Sequence, residues 1–233
     1  GRTLFMTTTT LNGASVLVLG ATGGLGRALG EELAARNAAL TLVGRDQQRL
    51  DQLTVAGLRV ALDLRSPDAC ATAMRTAVEQ HGKLDVVINA VGVVAFGDVA
   101  TLSTDVMEDL FMTNTFIPIM IATEAMNTLS TGGVIVNISG VIAEQNLPGM
   151  VAYGASKAAL RAFDEGLARE ARRKGVRVLD ARPPHTETGL AGRAIAGTAP
   201  KMGEGLEPAT VARVICDAIE SGATDLGSAA FVV

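Results

Sequence analysis

A tyrosine and a lysine four positions apart are the residues of this chain best suited to acid–base chemistry. Tyr153 is the only tyrosine in the sequence, and Lys157 follows it in a strongly helical run. Because a helix turns about once every 3.6 residues, both side chains project from one face about one turn apart. A fixed ammonium favours the phenolate, so we expect the phenol pKa to fall from about 10 toward the working pH. Such a group can donate and accept a proton, although the same spacing is common on solvated helices.

The elements that position this pair are predicted by apolar runs that alternate with amphipathic segments. The apolar runs have the length of strands buried on both faces and cover residues 16–19, 39–43, 58–62, 84–90, 134–138, 176–181 and 229–233. The segments with helical periodicity cover residues 25–37, 46–54, 67–81, 103–129, 153–174 and 208–221. This alternation predicts an α/β fold, in which a parallel sheet carries helices on both faces.

Composition limits the class of protein. The 233 residues are 48% hydrophobic and 19% charged, which suffices for one core and predicts one domain. The net charge of -4 argues against a nucleic-acid or anionic-membrane partner, and no apolar run is long enough to span a membrane. Cys70 and Cys216 lie far apart without metal-ligand spacing, so we expect no metal site and two buried free thiols in a reducing cytoplasm.

The amino terminus is polar and rich in threonine. We expect residues 1–12 to be a tag remnant or a disordered segment, with 1–5 as the remnant ahead of Met6, and 13–233 to form the domain.

A glycine-rich turn follows the first predicted strand and opens the first predicted helix. It consists of Gly20, Ala21, Thr22, Gly23, Gly24, Leu25 and Gly26. Glycines allow backbone amides to approach a pyrophosphate closely, and the helix N-terminus supplies partial positive charge. This context predicts dinucleotide binding, against the alternative of a merely tight turn.

The tip of the second strand carries the signal for cofactor choice. An acidic residue there usually accepts from the ribose hydroxyl of NAD(H), whereas this chain has Gly44 followed by Arg45. A guanidinium can pair with a 2'-phosphate, so NADP(H) is favoured and NAD(H) is the alternative. Arg45 as a solvated loop charge remains open. Asp63 ends the third strand, where it would meet an adenine amino group or serve as a capping or loop residue.

The fourth strand leads into Asn89, Ala90, Val91 and Gly92, and the long helix that follows contains Asn114 among apolar neighbours. A buried amide needs hydrogen-bond partners, so Asn114 is either a structural bracket or part of a polar relay. Pro118 removes a backbone donor and is expected to bend this helix.

These motifs, taken in order with Tyr153 and Lys157, resemble the short-chain dehydrogenase/reductase family from about residue 12 to the C-terminus. The resemblance implies a Rossmann-like, doubly wound parallel sheet of about seven strands in a homodimer or homotetramer. It also implies that Tyr153 is the catalytic acid/base, that Lys157 binds the nicotinamide ribose and lowers the tyrosine pKa, and that Asn114 holds a relay water.

The same resemblance assigns the cofactor contacts. Asn89, Ala90 and Gly92 would line the adenosine side, and Asp63 with Leu64 would meet adenine. Thr188 would contact the cofactor phosphates, and the backbone of Thr186 would lie beside the carboxamide. Residues 190–207 would form a flap over the substrate, and their small side chains favour an open or partly disordered lid.

Two departures from the family pattern affect the site. The serine that normally holds the reacting oxygen is replaced by Gly140; the adjacent Ser139 would substitute only if the loop shifts, because neighbouring strand residues face opposite ways. The usual Pro-Gly is Pro183-Pro184, and Pro184 cannot adopt a positive φ. His185, which follows, is a polar loop residue or a substrate contact.

The sequence thus predicts an NADP(H)-favouring oxidoreductase that interconverts a small-molecule carbonyl and its alcohol. A cofactor-binding regulatory or interaction protein is the rival hypothesis, because Gly140 removes a catalytic donor. An epimerase or dehydratase on the same fold is a further alternative, which the short C-terminal region disfavours.

Overall fold

Seven parallel strands form the sheet in the computed structural model, which describes residues 8–232. The strands are β1 (Ser15–Leu19), β2 (Ala39–Gly44), β3 (Leu58–Ala61), β4 (Val86–Asn89), β5 (Val134–Ile138), β6 (Arg177–Ala181) and β7 (Asp225–Leu226). Their order is β3-β2-β1-β4-β5-β6-β7. The order reverses between β1 and β4, and a ligand crevice is expected outside the carboxyl ends of strands at that point.

Seven α-helices cover the two faces of this sheet. They are α1 (Gly24–Ala35), α2 (Gln47–Asp51), α3 (Pro67–His81), α4 (Thr104–Phe111), α5 (Ile117–Thr128), α6 (Val151–Arg173) and α7 (Pro208–Ser221). Alternate residues of β1 enter opposite cores: Val16 and Val18 pack with α1 and α7, whereas Leu17 and Leu19 pack with α3, α5 and α6. The predicted doubly wound, Rossmann-like α/β fold is confirmed.

The helix predicted over residues 103–129 is interrupted. A π-helical segment, Met112–Phe116, separates α4 from α5 and contains Asn114. Pro118 lies in the first turn of α5. Because proline has no N–H, the Asn114 carbonyl cannot receive the usual bond from four residues ahead. The expected distortion is therefore present just before the proline.

Two other expectations about secondary structure are corrected. The strand predicted over 229–233 is wrong: β7 is Asp225–Leu226, Ser228–Phe231 forms a 3₁₀ helix, and residue 233 lies outside the described residues. The apolar run reflects burial of Phe231, which is 0% exposed. The helix predicted over 46–54 shortens to α2: Asp46 is its N-cap and accepts from the amides of Gln48 and Arg49, and Gln52 is its C-cap.

The excluded amino-terminal segment also contributes to the core. Leu11 is 0% exposed and packs in the core on the α1 and α7 side, so residues 1–12 do not all lie outside the domain. Residues 1–7, including the proposed remnant 1–5, lie outside the described residues.

Both cysteines, Cys70 and Cys216, are buried free thiols, as expected. Burial raises the pKa of Cys70 to about 11 and that of Cys216 to about 12. Between residues 8 and 232, no helix combines the length and apolar character needed to cross a membrane.

Candidate active site

The glycine turn lies at the reversal of strand order, between the tips of β1 and β4. Gly20 has φ of 78°, and a Cβ there would lie 2.8 Å from the carbonyl carbon of Ala90. A Cβ on Gly26 would lie within 3 Å of both the oxygen and the carbon of the Gly20 carbonyl, and that overlap excludes any side chain. The turn therefore keeps its backbone in a shape that only glycine permits at these two positions.

Thr188 is brought onto this turn from the far end of the sheet. A Cβ on Gly24 would lie 2.6 Å from the Thr188 carbonyl oxygen. No side chain caps α1, so the first amides of the helix, at Gly24, Leu25 and Gly26, have no partner within the helix. Thr22, Gly23, Gly24 and Leu25 are all partly exposed. A Cβ-free cradle beside an uncapped helix N-terminus fits the pyrophosphate of a dinucleotide.

The side chains expected at the adenosine end differ in their accessibility. Arg45 is exposed and makes no hydrogen bond within residues 8–232. Asp63 forms an ion pair with Arg65, whose side-chain hydrogen bond is the main cause that lowers the Asp63 pKa to about 2. This is the loop role that the sequence left open. Leu64 is buried, and Asn89 is 2% exposed, so the Asn89 side chain supports the strand tip and does not line the crevice.

Arg49 lies beside the glycine turn, a position that sequence reasoning missed. Its guanidinium donates to the Thr22 carbonyl at 3.2 Å, on the glycine turn. A second arginine four positions after Arg45, in the segment that follows β2, was the available signal.

The catalytic candidates converge at the tips of β4 and β5. Lys157 is 7% exposed, and its Nζ donates to the Ile138 carbonyl at 2.9 Å. A Cβ on Gly92 would lie 3.4 Å from that Nζ and 3.6 Å from Asn114 Oδ1. The absence of a side chain at Gly92 thus leaves room for the lysine. Tyr153 lies one turn earlier on α6, partly exposed, at the wall of a cavity.

Asn114 serves as a bracket through its side chain. Its Oδ1 accepts from the Val93 amide at 2.9 Å, and its Nδ2 donates to the Val93 carbonyl at 2.8 Å and to Ser156 Oγ at 3.1 Å. The side chain has no remaining donor. A relay contact would therefore use the Asn114 backbone carbonyl, which the π-helical segment and Pro118 leave without its usual donor.

Burial reverses the expected direction of the tyrosine pKa. Desolvation raises the pKa of Tyr153 to about 12, whereas the sequence predicted a decrease. The predicted decrease in the Tyr153 pKa rested on the charge of Lys157 and did not include the burial of the phenol.

The phenol is therefore expected to remain protonated at neutral pH in the cofactor-free protein. Because Tyr153 is the only tyrosine, ultraviolet absorbance reports its ionisation without interference from another phenol. We expect no phenolate absorbance up to about pH 10, the ordinary tyrosine pKa. A phenolate signal that develops near neutral pH would contradict this expectation.

A cavity of about 250 Å³ opens beside Tyr153. Large apolar groups supply much of its wall: Phe96, Val99, Leu102, Val106, Leu110, Met150 and Val151. The expected flap closes one side through Ala196 and Gly197. It is anchored rather than open, since the Phe96 amide donates to Ala196 and the Ile195 amide donates to Val94, both at 2.9 Å.

Between residues 8 and 232, no group of three or more His, Cys, Asp or Glu side chains is placed to hold a metal ion.

The sequence model of the family described as short chain dehydrogenase matches residues 14–198. The chain belongs to the short-chain dehydrogenase/reductase family. Members of this family are oxidoreductases that act on CH–OH or C=O groups and use NAD(P).

Curated members of the short-chain dehydrogenase/reductase family resemble most of the chain. Dehydrogenase/reductase SDR family member 7B of Bos taurus is 30% identical over 228 residues, covering 88% of this chain and 70% of that protein. The 3beta-hydroxysteroid dehydrogenase of Mediterraneibacter gnavus is 30% identical over 198 residues, covering 81% of this chain and 72% of that protein.

Solved structures of the family share the fold. A dehydrogenase/reductase from Sinorhizobium meliloti has a TM-score of 0.82 at 24% identity and covers 98% of both chains. A short-chain dehydrogenase from Burkholderia cenocepacia in complex with NADP has a TM-score of 0.81 at 24% identity, covering 94% of this chain and 98% of that chain.

The residue at the family's serine position is a glycine, and its backbone conformation is one that a serine rarely adopts. Gly140 has φ of 81° and ψ of 164°, a region that is essentially restricted to glycine. Ser139 does not substitute, because it is 0% exposed and its hydroxyl donates to Asp180 at 2.7 Å. A serine introduced at residue 140 would be strained by about 1–3 kcal/mol in this backbone conformation.

The second departure from the family pattern leaves an ordered loop. The Val141 amide donates to the Pro183 carbonyl at 3.0 Å, and the Thr186 hydroxyl donates to the Pro184 carbonyl at 2.9 Å. His185 pairs with Glu187 at 3.3 Å and is a loop residue here.

Behind the tyrosine and lysine lies a charged group that the sequence did not reveal. Arg182 is 4% exposed; it donates to Asp180 at 2.6 Å, to Glu144 at 2.9 Å and to Asp225 at 2.7 and 2.8 Å. The available signal was an aspartate and an arginine within or next to an otherwise apolar strand. This group joins the loop after β5 to β6 and β7, behind the catalytic candidates.

Proposed function

We propose that the chain is a nicotinamide-dependent carbonyl reductase or alcohol dehydrogenase in which Tyr153 is the acid/base. The observation that carries the proposal is the convergence of Tyr153, Lys157 and Asn114 beside the glycine turn, at the point where a dinucleotide would cross the sheet. Tyr153 also lines the cavity of about 250 Å³ described above, where a substrate could reach its side chain.

Tyr153, Lys157 and Asn114 each have a part in the proposed proton transfer. The glycine turn would hold NAD(P)H, which would supply a hydride to the carbonyl carbon. Tyr153 donates its phenolic proton to the carbonyl oxygen, and the raised phenol pKa keeps that proton in place until the oxygen develops negative charge. Lys157 has one N–H committed to Ile138, which leaves two donors for the ribose and for a relay water at the Asn114 carbonyl.

The cavity supports an apolar or amphipathic carbonyl substrate of modest size. Its volume of about 250 Å³ lies just below the range of drug-sized pockets, about 300–1,000 Å³. The wall residues Phe96, Leu102 and Met150 favour a hydrocarbon skeleton. The relationship to a 3beta-hydroxysteroid dehydrogenase supports the same class, an alcohol or ketone on an apolar frame.

A direct test measures the quenching of NADPH and NADH fluorescence on binding, then screens apolar ketones and aldehydes for cofactor oxidation. Binding with turnover supports the proposed activity.

The second candidate, a cofactor-binding regulatory or interaction protein, is favoured by Gly140 and by the engaged Ser139 hydroxyl. Binding without turnover on any carbonyl compound, or on the corresponding alcohols with oxidised cofactor, would favour that candidate.

Arg45 is proposed to select NADP(H) over NAD(H). We expect Arg45→Ala to weaken NADPH binding by about 10-fold to 100-fold, because a charge-assisted hydrogen bond contributes about 1.5–3 kcal/mol. NADH affinity should change by less than about 2-fold, since NADH carries no 2'-phosphate. The Burkholderia cenocepacia relative binds NADP, which supports NADP(H) as a cofactor that this fold can hold.

The matched control for this prediction is Arg75→Ala, an exposed arginine on α3 paired only with neighbours on its own helix. It should leave both affinities unchanged. Equal losses for NADPH and NADH in Arg45→Ala would contradict a role in phosphate recognition.

A homodimer or homotetramer is proposed as the assembly. Met107 on α4 and Phe116 at the start of α5 are 42% and 52% exposed, and such apolar side chains favour burial against a second copy. Sedimentation measures this directly, and a monomer at all concentrations would exclude it.

A further inference from the structure

A ladder of polar side chains crosses the centre of the sheet beneath the site. The parallel register places Asn89 beside Asn137, and Asn137 beside Asp180. Asn89 donates to Asn137 at 3.4 Å, and Asn137 donates to Asp164 of α6 at 2.7 Å. All four side chains are almost completely buried. The ladder therefore brings two aspartates together in the core.

The contact between Asp164 and Asp180 implies a proton. Their carboxyls lie within hydrogen-bonding range, and the Oδ2 atom of each is sealed from solvent with no N–H or O–H partner within residues 8–232. Two carboxylates in such contact cannot both be ionised. Burial first, and then the hydrogen bond with Asp180, raises the pKa of Asp164 well above its ordinary value. One shared proton supplies the donor that both Oδ2 atoms lack.

The hydrogen bonds decide which aspartate is ionised. Oδ1 of Asp180 accepts from Ser139 at 2.7 Å and from Arg182 at 2.6 Å. Oδ1 of Asp164 accepts from the neutral amide of Asn137. Donors stabilise the charged form of a carboxyl, so the negative charge rests on Asp180 and the proton on Asp164.

Two cations face this pair. Arg182 is also bound to Glu144 and Asp225, so its charge is matched on the side away from the pair. The charge of Arg161 on α6 is directed to Asp225, where it contributes to lowering the pKa of that carboxyl. The second cation is Lys157, two turns before Asp164 on the same helix face, which places the two residues about 10 Å apart along the axis. Burial lowers the pKa of Lys157 to about 8, and Asp180 and Asp164 oppose that decrease.

We propose that Asp164 and Asp180 share one proton, carry one negative charge between them, and through that charge keep the Lys157 ammonium protonated and in position. Their importance for turnover rests on the proposed function, in which Lys157 holds the ribose and restores the proton of Tyr153. Asp164 and Asp180 are thus positioning residues, since they act through the lysine. A merely structural bracket between α6 and β6 would not change the titration of Lys157.

The test measures the Lys157 pKa directly in cofactor-free protein. The chain has four lysines, so labelling lysine with ¹³C at the ε carbon gives four resonances, with Lys83, Lys174 and Lys201 as internal controls. Asp164→Asn keeps the charge on Asp180 and should move the Lys157 midpoint by a few tenths of a pH unit. Asp164→Asn with Asp180→Asn removes the charge. The midpoint should then fall by about one unit, the effect of one charge at about 10 Å in a medium of dielectric constant about 20.

The shared proton has its own measurement. The infrared spectrum of the wild-type protein at neutral pH should contain the C=O band of a protonated carboxyl, which shifts in D₂O and is lost in Asp164→Asn. If the double variant does not fold, this band still decides whether the two aspartates share a proton. No such band, or a Lys157 midpoint unchanged in a folded double variant, would overturn the proposal. Neither measurement needs a substrate, so a failure of the proposed reductase activity would be seen separately, as binding without turnover.

Discussion

Replacing Tyr153 by phenylalanine is expected to lower turnover by about 10²-fold to 10⁴-fold, the usual contribution of a positioned acid or base. The change removes one oxygen and keeps the ring that forms part of the cavity wall. Substrate binding and fold should therefore be preserved, and NADPH affinity should change by less than about 2-fold. The loss then falls on kcat, because the missing proton donor acts only as charge develops on the carbonyl oxygen.

A matched control removes a different hydroxyl from the same cavity. Thr101→Val keeps the shape of a side chain that lines the cavity, and its hydroxyl donates only to the Asp98 carbonyl within the same turn. Its kcat should stay within about 3-fold of the wild-type value. Unchanged turnover of a verified substrate by Tyr153→Phe would remove Tyr153 from the mechanism. It would also remove the proton-relay role proposed for Lys157, because that role consists of restoring the proton of the phenol.

Local pattern was enough to predict the sheet, the glycine turn and the Tyr153–Lys157 pair. Strands buried on both faces give continuous apolar runs, and glycines spaced between a strand and a helix form a motif that is visible within a few residues. The C-terminal residues show where local pattern is not sufficient to predict secondary structure. Residues 229–233 have an apolar run because Phe231 fills the core, and burial alone does not distinguish a strand from a 3₁₀ turn.

The electrostatics of the site could not be predicted from spacing. The direction of the Tyr153 pKa depends on desolvation, which only the folded chain determines. Asp164 and Asp180 are 16 positions apart and meet because α6 packs on β6. The sequence suggests Ser139 as a catalytic donor because it stands beside Gly140. Its hydroxyl instead donates to Asp180 on the neighbouring strand.

Arg182 is expected to be the most costly charge in the chain to remove. Arg182→Met should lower the free energy of unfolding by about 3–5 kcal/mol, because it leaves carboxylates behind without a compensating cation in a buried site. Arg36→Met is the matched control. Arg36 also pairs with three carboxylates, but its side chain is 19% exposed against 5% for Arg182, so its loss should cost about 1 kcal/mol. Urea unfolding at neutral pH measures both.

The pH dependence of Arg182→Met separates lost charge pairing from lost packing. Arg182 is the main cause that lowers the pKa of Asp225, and it contributes, after Ser228, to lowering the pKa of Glu144 to about 2. A lowered carboxyl pKa adds stability above the unfolded value of about 4, and that stability is lost as the pH falls through the folded value. The gap in unfolding free energy between wild type and Arg182→Met should thus be largest near neutral pH and should narrow below about pH 4. A gap that is constant with pH would indicate that Arg182 stabilises the fold by packing, and that the acids around it need no cation to remain buried.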